Sequence, residues 1–331
     1  MRVLLASKHR YPAQRGEGAG FAVRPNPSGS PQRVHDLIAR GLAELGHEVC
    51  YLLEGVDAPL PEGVRWVTQP VEGADVLHNL ESRERPWIKT QHSAWDPGGP
   101  VPPSWVFVSR TLARSRGSDR YVLNGLDPAD FIFSETKDDY FLFMAAMQGP
   151  TYSWRYFDKG LDVALALARE HGLDLRVAGT ARERGVLELV AALCRENGAT
   201  YLGEVRGTRK AELLAGARAL LFPTRLREGC PLVVLESLLS GTPVIAADIG
   251  VCGELITPEV GCLFASRDGF RQALDRLPRI SPRACRDRAV ADFHYRRMAA
   301  DYVRQYEIEI GRDAQAKLPA AVGAAPAVSW S

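Results

Sequence analysis

A strand, a helix and a second strand follow one another directly near residues 218–247, and this order constrains the fold more than any other part of the sequence. Apolar runs at 218–222 and 243–247 are typical of buried strands. Pro231 stands where the intervening helix would begin and Gly241 stands just past its end, which is the usual asymmetry of helix termini. The segment therefore predicts parallel strands covered by helices.

The same alternation continues along the whole chain and predicts an α/β fold with parallel sheets. In the first half the predicted strands are 2–6, 48–53, 64–68, 75–78, 87–90, 105–108 and 120–123, and the clearest helix is 31–45. In the second half the predicted strands are 140–146, 174–178, 199–202, 218–222 and 243–247, with helices near 160–171, 182–196, 208–215, 231–239 and 267–276. Residues 288–311 are predicted to form long terminal helices.

The composition indicates an ordinary globular protein. The 331 residues suit two domains, and 46% hydrophobic and 24% charged residues can build sizeable cores. A net charge of +1 gives no electrostatic reason to expect a nucleic-acid partner. Six scattered cysteines without C-x-x-C spacing favour reduced thiols, and no apolar run is long enough to span a bilayer. We therefore expect a cytoplasmic protein without integral membrane association, and the Arg-, Ala- and Gly-rich composition favours a bacterial source.

Two carboxylates flank the start of the helix predicted over 231–239. Glu228 lies in the loop before this helix and Glu236 lies within it. The first N–H groups of a helix have no intrahelical partner, and the helix dipole favours anions there. Five residues of helical rise span roughly 7.5 Å, about the length of a diphosphate. One glutamate can then reach a sugar while the other reaches a ribose, which indicates a nucleotide-sugar site.

The residues around these glutamates resemble the E-x7-E signature of retaining glycosyltransferases of family four, which have the GT-B fold. The matching segments are Phe-Pro-Thr at 222–224, Glu-Gly-Cys-Pro at 228–231, Glu236, Ser-Gly-Thr-Pro-Val-Ile at 240–245 and Ala-Asp-Ile-Gly at 247–250. Further similar segments follow in the family's order at 33–49, 89–92, 107–109, 122–127 and 158–162. The resemblance implies two Rossmann-like domains that face a central cleft, with a C-terminal helix that crosses back to the first domain.

On this resemblance the chain divides into five parts. They are an N-terminal acceptor-side Rossmann-like domain at 1–127, a linker at 128–139, a C-terminal nucleotide-sugar-binding Rossmann-like domain at 140–290, a crossing helix at 291–314 and a disordered tail at 315–331. The polar composition and the proline of the linker agree with this boundary.

The resemblance also implies the reaction: transfer of a sugar, of the hexosyltransferase type, from a nucleoside diphosphate with retained anomeric configuration. The transition state carries negative charge on the departing diphosphate, so the site needs fixed positive charge and N–H dipoles there. Lys159 matches the family's phosphate lysine. The family's arginine is displaced in this chain, and Arg155 is the candidate for its place. Gly29 and Ser30 stand where the family has a glycine pair, and Ser30 replaces the second glycine.

The resemblance assigns roles to the remaining candidates. Glu228 and His92 would be catalytic, with His92 positioning the donor sugar rather than acting as a general base. The donor sugar would contact Gly229, Cys230, Pro231 and Leu232, the ribose would bind Glu236, and the base would lie at Gly203 and Val205. A buried Glu236 would need a partner. His78 is a weaker candidate with a core role favoured. No Asp-x-Asp motif or His-rich cluster occurs, so we expect no metal and no cofactor apart from the sugar nucleotide as co-substrate.

The acceptor and the presence of catalysis are the least constrained predictions. The first helix has no cluster of basic and aromatic residues for a membrane surface, so we expect a soluble small-molecule acceptor. A lipid- or polysaccharide-directed glycosyltransferase remains an alternative. So does a degenerate GT-B protein that binds a sugar nucleotide without catalysis, because the arginine is displaced and the glycine pair altered. A Rossmann oxidoreductase would need Gly-x-Gly-x-x-Gly after the first strand, where residues 8–12 read Lys-His-Arg-Tyr-Pro.

Overall fold

A computed structural model of the protein describes residues 1–12, 30–93, 99–148, 156–181 and 183–317, without the side chains of Ser30 and Arg184. The strands of the first half are β1 (Arg2–Ala6), β2 (Arg10–Tyr11), β3 (Glu48–Leu52), β4 (Gly55–Val56), β5 (Val64–Val67), β6 (Val76–His78), β7 (Trp87–Gln91) and β8 (Trp105–Phe107). Those of the second half are β9 (Tyr140–Met144), β10 (Asp174–Ala178), β11 (Thr200–Gly203), β12 (Ala219–Phe222), β13 (Val244–Ala247) and β14 (Gly261–Phe264).

The helices of the described residues alternate with these strands. They are α1 (Ser30–Glu44), α2 (Arg110–Ser115), α3 (Leu161–His171), α4 (Arg184–Glu196), α5 (Gly207–Gly216), α6 (Leu232–Leu239), α7 (Cys252–Leu255), α8 (Arg267–Arg276), α9 (Pro282–Asp292) and α10 (Tyr295–Ala316). Two short 3₁₀ turns lie at Pro128–Asp130 and Leu277–Arg279. Among the described residues, no helix combines the length and the apolar character that crossing a membrane requires.

Each half contains one parallel six-stranded sheet, and the two sheets have the same topology. The strand orders are β5-β3-β1-β6-β7-β8 and β11-β10-β9-β12-β13-β14, while β2 and β4 form a separate pair. Numbered along the chain within each half, both orders are 3-2-1-4-5-6, which is the doubly wound order of Rossmann folds. The structure therefore confirms the predicted α/β class with two Rossmann-like halves.

Burial on both faces explains why the central strands are rich in apolar residues. Val3 and Leu5 of β1 pack in the core that contains α1, whereas Leu4 packs with Cys50 and Leu77 in a second cluster on the other face. All four residues of β12 are buried. Parallel strands covered by helices on both faces read as continuous apolar runs for this reason.

Two chain segments connect the halves, and they pair with each other where they cross. The N–H of Leu126 donates to the carbonyl of Phe293 at 2.8 Å, and the N–H of Tyr295 donates to the carbonyl of Leu126 at 3.0 Å. Gly125 lies so close to the backbone of His294 that a Cβ at this position would overlap it. The pairing fixes the direction in which the chain leaves the second half.

The last helix belongs to the first half. Helix α9 packs on α6 of the second half, whereas α10 packs on α1 and β7 of the first. The hydroxyl of Tyr302 lies 2.8 Å from Oγ1 of Thr90, and the hydroxyl of Tyr306 lies 2.8 Å from Nδ1 of His78. The predicted return of the last helix to the first domain is thus confirmed, and this helix occupies Tyr295–Ala316.

The structure differs from the predicted elements at a few places. Residues 120–123 do not form a strand, because only Tyr121 pairs with Phe107, as an isolated bridge. Strand β14 was not predicted, because it has four residues and begins with glycine, which weakens the strand pattern. Helices α2 and α7 have six and four residues, too few for a helical period to be recognised. The terminal helical region is two helices that separate at Phe293.

Candidate active site

The strand order fixes where a ligand is expected in each half. In an open α/β sheet, ligands bind beyond the carboxyl ends of the strands, at the point where the strand order reverses. These switch points lie between β1 and β6 in the first half and between β9 and β12 in the second. Candidate residues follow the strands toward this edge: His92 comes after β7, Lys159 after β9 and Glu228 after β12.

Glu228 and Lys159 form an ion pair at the second switch point. The Nζ atom of Lys159 lies 2.6 Å from Oε1 of Glu228, and their side chains are 15% and 18% exposed. The next residue, Gly160, has φ +82 and touches the backbone of Pro223, so that a Cβ there would overlap the Pro223 carbonyl oxygen. The glycine therefore allows Lys159 to approach the loop that follows β12.

Glu236 is the second glutamate of the motif and is almost fully buried, with 5% of its side chain exposed. Oε1 accepts from Nη1 of Arg33 at 2.9 Å, and Oε2 lies 2.7 Å from Nζ of Lys210. Arg33 belongs to α1 of the first half, whereas Lys210 belongs to α5 of the second. The buried Glu236 thus has two cationic partners, and one of them, Arg33, comes from the other half of the molecule.

Arg33 is itself held by residues of the chain segment that leaves the first half. Its Nη2 atom lies 3.3 Å from Oδ2 of Asp130, and its guanidinium lies over the ring of Phe131, 5.3 Å from the centroid. Arg33 is 9% exposed. A buried guanidinium with two carboxylates and an aromatic face has a fixed position, because each contact restricts a different part of the side chain.

The helix that carries Glu236 begins and ends close to the predicted residues. Helix α6 starts at Leu232, with Pro231 as the residue before it, and Gly241 with φ +75 follows its end. The N–H of Gly241 donates to the carbonyl of Leu238, and that of Thr242 donates to the carbonyl of Ser237. Glu236 is therefore the fifth residue of a helix whose start lies directly after Glu228 and its loop.

The loop between the two glutamates lies against the first half. A Cβ at Gly229 would overlap the carbonyl oxygen of His92, so these two predicted residues are in backbone contact. Nδ2 of Asn124 donates to the carbonyl of Cys230 at 3.2 Å. Burial raises the pKa of the Cys230 thiol to about 12, so this side chain is a neutral thiol at physiological pH.

The first switch point carries a chain of hydrogen-bonded histidines. Nε2 of His92 lies 3.2 Å from Nε2 of His35, whose Nδ1 lies 2.8 Å from Oγ of Ser7. This hydroxyl also lies 2.9 Å from Nδ1 of His9, and Nε2 of His9 lies 2.8 Å from Oδ1 of Asp36. The chain connects a carboxylate of α1 to the candidate histidine at the cleft.

Burial keeps several of these rings neutral. It lowers the pKa of His92 to about 4 and the pKa of His78 to about 3, and it holds the pKa of His35 well below its ordinary value. The ring of His78 is enclosed by Thr90 and Tyr306. His78 therefore connects β6 to α10 in the interior, in agreement with the core role favoured for it.

A cavity of about 570 Å³ opens beside this histidine chain, at the carboxyl ends of the first sheet. Uncharged polar groups of Ser7, Gln32, His35, Asn79 and Thr90 line it, together with apolar residues of the strand ends and the charged residues Lys8, Glu54 and Lys89. Oε1 of Gln32 is buried and has no hydrogen-bond partner among the described residues. The cavity can accommodate a hydroxylated ring that offers hydrogen-bond donors and one apolar face.

The structure leaves some predicted residues apart from this arrangement. Gly29 and Arg155 lie outside the described residues, and Ser30 is the first residue of α1. Gly203 ends β11, and its carbonyl accepts from the N–H of Gly179 at 2.9 Å. Val205 packs against the core. Within the described part of the chain, no group of three or more His, Cys, Asp or Glu is arranged to hold a metal ion.

Several residues of the site were not predicted from the sequence. They are Arg33 and Lys210 at Glu236, Asn124 at Cys230, and Ser7, His9, His35, Asp36 and Asn79 in the histidine chain. Arg33 lies within one of the segments that resemble the family, and Lys210 is a lysine in an Arg-rich chain. These signals mark the residues without indicating what they contact.

Comparison with known proteins agrees with this architecture. Residues 139–279 match the model of a family described as group 1 glycosyl transferases. The structure is similar to the crystal structure of AviGT4, a glycosyltransferase involved in avilamycin A biosynthesis, with a TM-score of 0.73 and 25% identity over 94% of this chain and 98% of that one. The chain has the GT-B fold. The part of this GT-B protein that matches the family model contains Lys159, Glu228 and Glu236.

Two curated relatives match shorter stretches of the GT-B chain. It is 29% identical over 147 residues to the O-antigen chain mannosyltransferase RfbU of Salmonella typhimurium, a match that covers 44% of this chain and 40% of that one. It is 31% identical over 165 residues to a glycogen synthase of Mycobacterium tuberculosis, covering 45% and 40%. The matches thus span about two fifths of the length of these relatives.

Proposed function

We propose that this GT-B protein is a retaining, metal-independent glycosyltransferase of the hexosyl type that acts on a soluble small-molecule acceptor. One observation carries the proposal. Glu228 with Lys159 and Glu236 with its two cations flank the start of α6 at a switch point, inside the segment that matches group 1 glycosyl transferases. A nucleoside diphosphate sugar carries negative phosphates, which Lys159 can bind, and ribose hydroxyls, which Glu236 can bind.

The second half would bind the donor. Lys159 supplies a fixed positive charge for the departing diphosphate, and the first N–H groups of α6 add dipoles of the same sign. Glu228 holds Lys159 in place and faces the sugar, which develops positive character as the bond to the phosphate oxygen breaks. Glu236 accepts hydrogen bonds from the ribose. In this proposal Lys159 and the helix dipole do the work for which other enzymes use a divalent cation.

The first half would bind the acceptor. Retention means that the new bond forms on the face from which the diphosphate leaves, so the acceptor hydroxyl must approach between the two switch points. The rings of His35 and His92 are neutral there, and Ser7, Asn79 and Gln32 are uncharged. A cavity that combines these uncharged groups with charged residues of both signs, Lys8, Glu54 and Lys89, offers many hydrogen-bond partners and suits an acceptor rich in hydroxyls. The role of AviGT4 in avilamycin A biosynthesis also supports a small-molecule acceptor.

Calorimetric titration with UDP, GDP, ADP and dTDP in the presence of EDTA tests the donor site. We expect one nucleotide to bind the wild type and to bind Glu236→Ala much more weakly. Glu309→Ala is the matched control, because Glu309 is also buried and also bonded to an arginine, Arg120, but lies near the amino end of β8. Absence of nucleotide binding, or equal affinity in all three proteins, would contradict the proposal.

Two other functions retain a specific observation in their favour. The arginine expected before Lys159 is displaced and Ser30 replaces a glycine, which suits a protein that binds a sugar nucleotide without turnover. Release of the nucleoside diphosphate from the bound sugar nucleotide, measured with an excess of candidate acceptors, distinguishes this case. The names of RfbU and glycogen synthase favour a polysaccharide acceptor instead. Products that lengthen an oligosaccharide in the same assay would identify that case.

A further inference from the structure

The hydrogen-bond chain of the first half has a direction that one of its ends determines. One end is Asn79, which contacts His35. The backbone N–H of Thr90 lies 2.9 Å from Oδ1 of Asn79, and since this N–H can only donate, the oxygen of the amide is identified. The other amide atom, Nδ2, lies 3.1 Å from Nε2 of His35. An amide nitrogen can only donate, so Nε2 of His35 has no hydrogen.

The hydrogen of the neutral His35 ring is therefore on Nδ1, which donates to Oγ of Ser7. The hydroxyl of Ser7 then donates to Nδ1 of His9. The remaining nitrogen of His9 carries a hydrogen and donates to the Asp36 carboxylate, which can only accept. The opposite direction would place an N–H of His35 against the amide N–H of Asn79. The Asn79 end of the chain thus requires this direction, and the Asp36 end is compatible with it.

This direction fixes the tautomer of His92. Its Nε2 atom lies 3.2 Å from the same unprotonated Nε2 of His35, so the hydrogen between the two rings belongs to His92. A neutral imidazole carries one hydrogen, and Nδ1 of His92 is consequently the acceptor nitrogen. Two donors, from Asn79 and His92, converge on one nitrogen of His35.

We propose that Asn79 and His35 are positioning residues that hold His92 in its Nε2–H form, so that Nδ1 of His92 accepts a hydrogen bond from a hydroxyl of the bound substrate. The substrate part of this inference rests on the proposed function, whereas the tautomer does not. The low pKa of His92, about 4, agrees with a ring that accepts a hydrogen bond at neutral pH. The chain orients the ring and fixes which of its nitrogens faces a donor, as outer partners of functional histidines do elsewhere.

The substitution Asn79→Asp tests this mechanism with almost no change of shape. Asn79 has φ +60, a conformation that aspartate also adopts, and the carboxylate retains the acceptor for the N–H of Thr90. The second carboxylate oxygen now needs a hydrogen from Nε2 of His35. The His35 hydrogen should therefore move to Nε2, or the ring should take up a second proton. His92 then loses its acceptor and its preference for the Nε2–H form.

Nuclear magnetic resonance of protein with ¹⁵N-labelled histidine measures the tautomers in the ligand-free state. In the wild type we expect a pyrrole-type nitrogen at Nδ1 of His35 and at Nε2 of both His9 and His92, with H92Q used to assign the His92 signals. In N79D the pyrrole-type signal of His35 should move to Nε2. The control Gln32→Glu adds a carboxylate to the same cavity and should leave these signals in place. A wild-type His92 with its hydrogen on Nδ1, or unchanged signals in N79D, would overturn the proposal.

Transfer kinetics test the substrate part. We expect N79D to lower kcat about tenfold, the effect of one lost hydrogen bond, with little change in KM for the sugar nucleotide. An N79D protein with altered tautomers and unchanged kcat would show that the chain does not serve the reaction. Absence of transfer by the wild type would instead contradict the proposed function and leave the tautomer result valid. If N79D does not fold, the wild-type spectrum alone decides the tautomer.

Discussion

The two halves of the molecule have the same strand order, yet their switch points carry opposite chemistry. Beyond β1 and β6 of the first half lie Ser7, His35 and Asn79, which are uncharged and hydrogen-bonded to one another. Beyond β9 and β12 of the second half lie Lys159 and Glu228, which form an ion pair. The fold thus determines where a ligand can bind, and the side chains that follow the strands determine which ligand it is.

One residue departs from this division. Arg33 belongs to α1 of the first half, but its guanidinium reaches Glu236 of the second half at 2.9 Å. Because α1 carries both Arg33 and His35, one helix contributes to both sites. The position of α1 therefore connects the geometry of the donor site to that of the histidine chain.

Removal of Lys159, the cation at the second switch point, should have the largest effect on activity. We expect Lys159→Ala to lower kcat of sugar transfer by about 10²–10³-fold, since one lost stabilising group at a developing negative charge typically costs that much. Steady-state kinetics with the nucleotide sugar selected by calorimetry measure it. Lys159→Arg, which keeps the charge with a different shape, should recover part of the loss.

A control separates this effect from the loss of any lysine. Lys317 near the end of α10 is exposed and pairs with Asp313 of the same helix. Lys317→Ala should leave kcat within about twofold of the wild type, because an exposed pair contributes little. If Lys159→Ala were as active as this control, the second switch point would not be the donor phosphate site.

Removal of the residue that joins the two halves should lower stability. Among the described residues, Arg33→Met leaves the buried Glu236 with one cationic partner, Lys210. We expect the free energy of unfolding to fall by about 2 kcal/mol, less than the roughly 3–5 kcal/mol for a buried charge without any partner. Urea denaturation followed by circular dichroism measures this change.

The matched control is another arginine–glutamate pair between distant parts of the chain. Arg296 of α10 contacts Glu44 of α1 at 2.7 Å, but its side chain is 62% exposed. Arg296→Met should cost less than about 1 kcal/mol, as exposed ion pairs do. Equal losses in the two variants would mean that the contact across the cleft has no special role in holding the halves together.

The fold could be predicted because burial acts on consecutive residues. The apolar runs of β1, β12 and β13 show it directly, and a glycine such as Gly241 marks the end of a helix. Strand β14 could not be recognised for a physical reason. Its first residue, Gly261, lies against the Val244 carbonyl of β13, where a Cβ would overlap the oxygen. The residue that weakens the strand pattern is the one that close pairing needs.

The candidate site could be predicted only where its residues are close in sequence. Glu228 lies in the loop before α6 and Glu236 lies within α6, so their short separation in sequence predicts that they are close in space. Arg33 and Glu236 are 203 positions apart, and no local pattern can indicate that they meet. The histidine chain likewise comes from β1, α1 and the end of β7, which the strand order brings together. Contacts of this kind arise from tertiary packing.

Acid should destabilise the protein through the buried histidines of the first half. Burial lowers the pKa of His92 to about 4 and that of His78 to about 3, whereas the unfolded chain binds these protons near pH 6.5. Their contribution to stability is therefore complete above about pH 6.5 and is lost as the pH falls, by about 1.4 kcal/mol per histidine and pH unit. His92→Gln should reduce the slope of stability against pH by that amount between about pH 6 and 4.5. Urea denaturation at several pH values measures it, and an unchanged slope would mean that the folded His92 is already accessible to protons.

Salt should weaken nucleotide binding more than acceptor binding, and this effect is the smallest of those predicted. Raising the ionic strength from about 0.05 to 0.5 M shortens the screening length severalfold, which weakens the attraction between a nucleoside diphosphate and partly exposed cations such as Lys159. We expect the nucleotide Kd to rise about threefold to tenfold, measured by calorimetry. The KM of the acceptor that supports turnover should change by less than about twofold, because the proposed acceptor is uncharged and gains little from the charged residues Lys8, Glu54 and Lys89 of the cavity. An acceptor KM that rose as steeply as the nucleotide Kd would show that the acceptor is anionic, and the contrast between the two switch points would then lie in the side chains alone and not in their ligands.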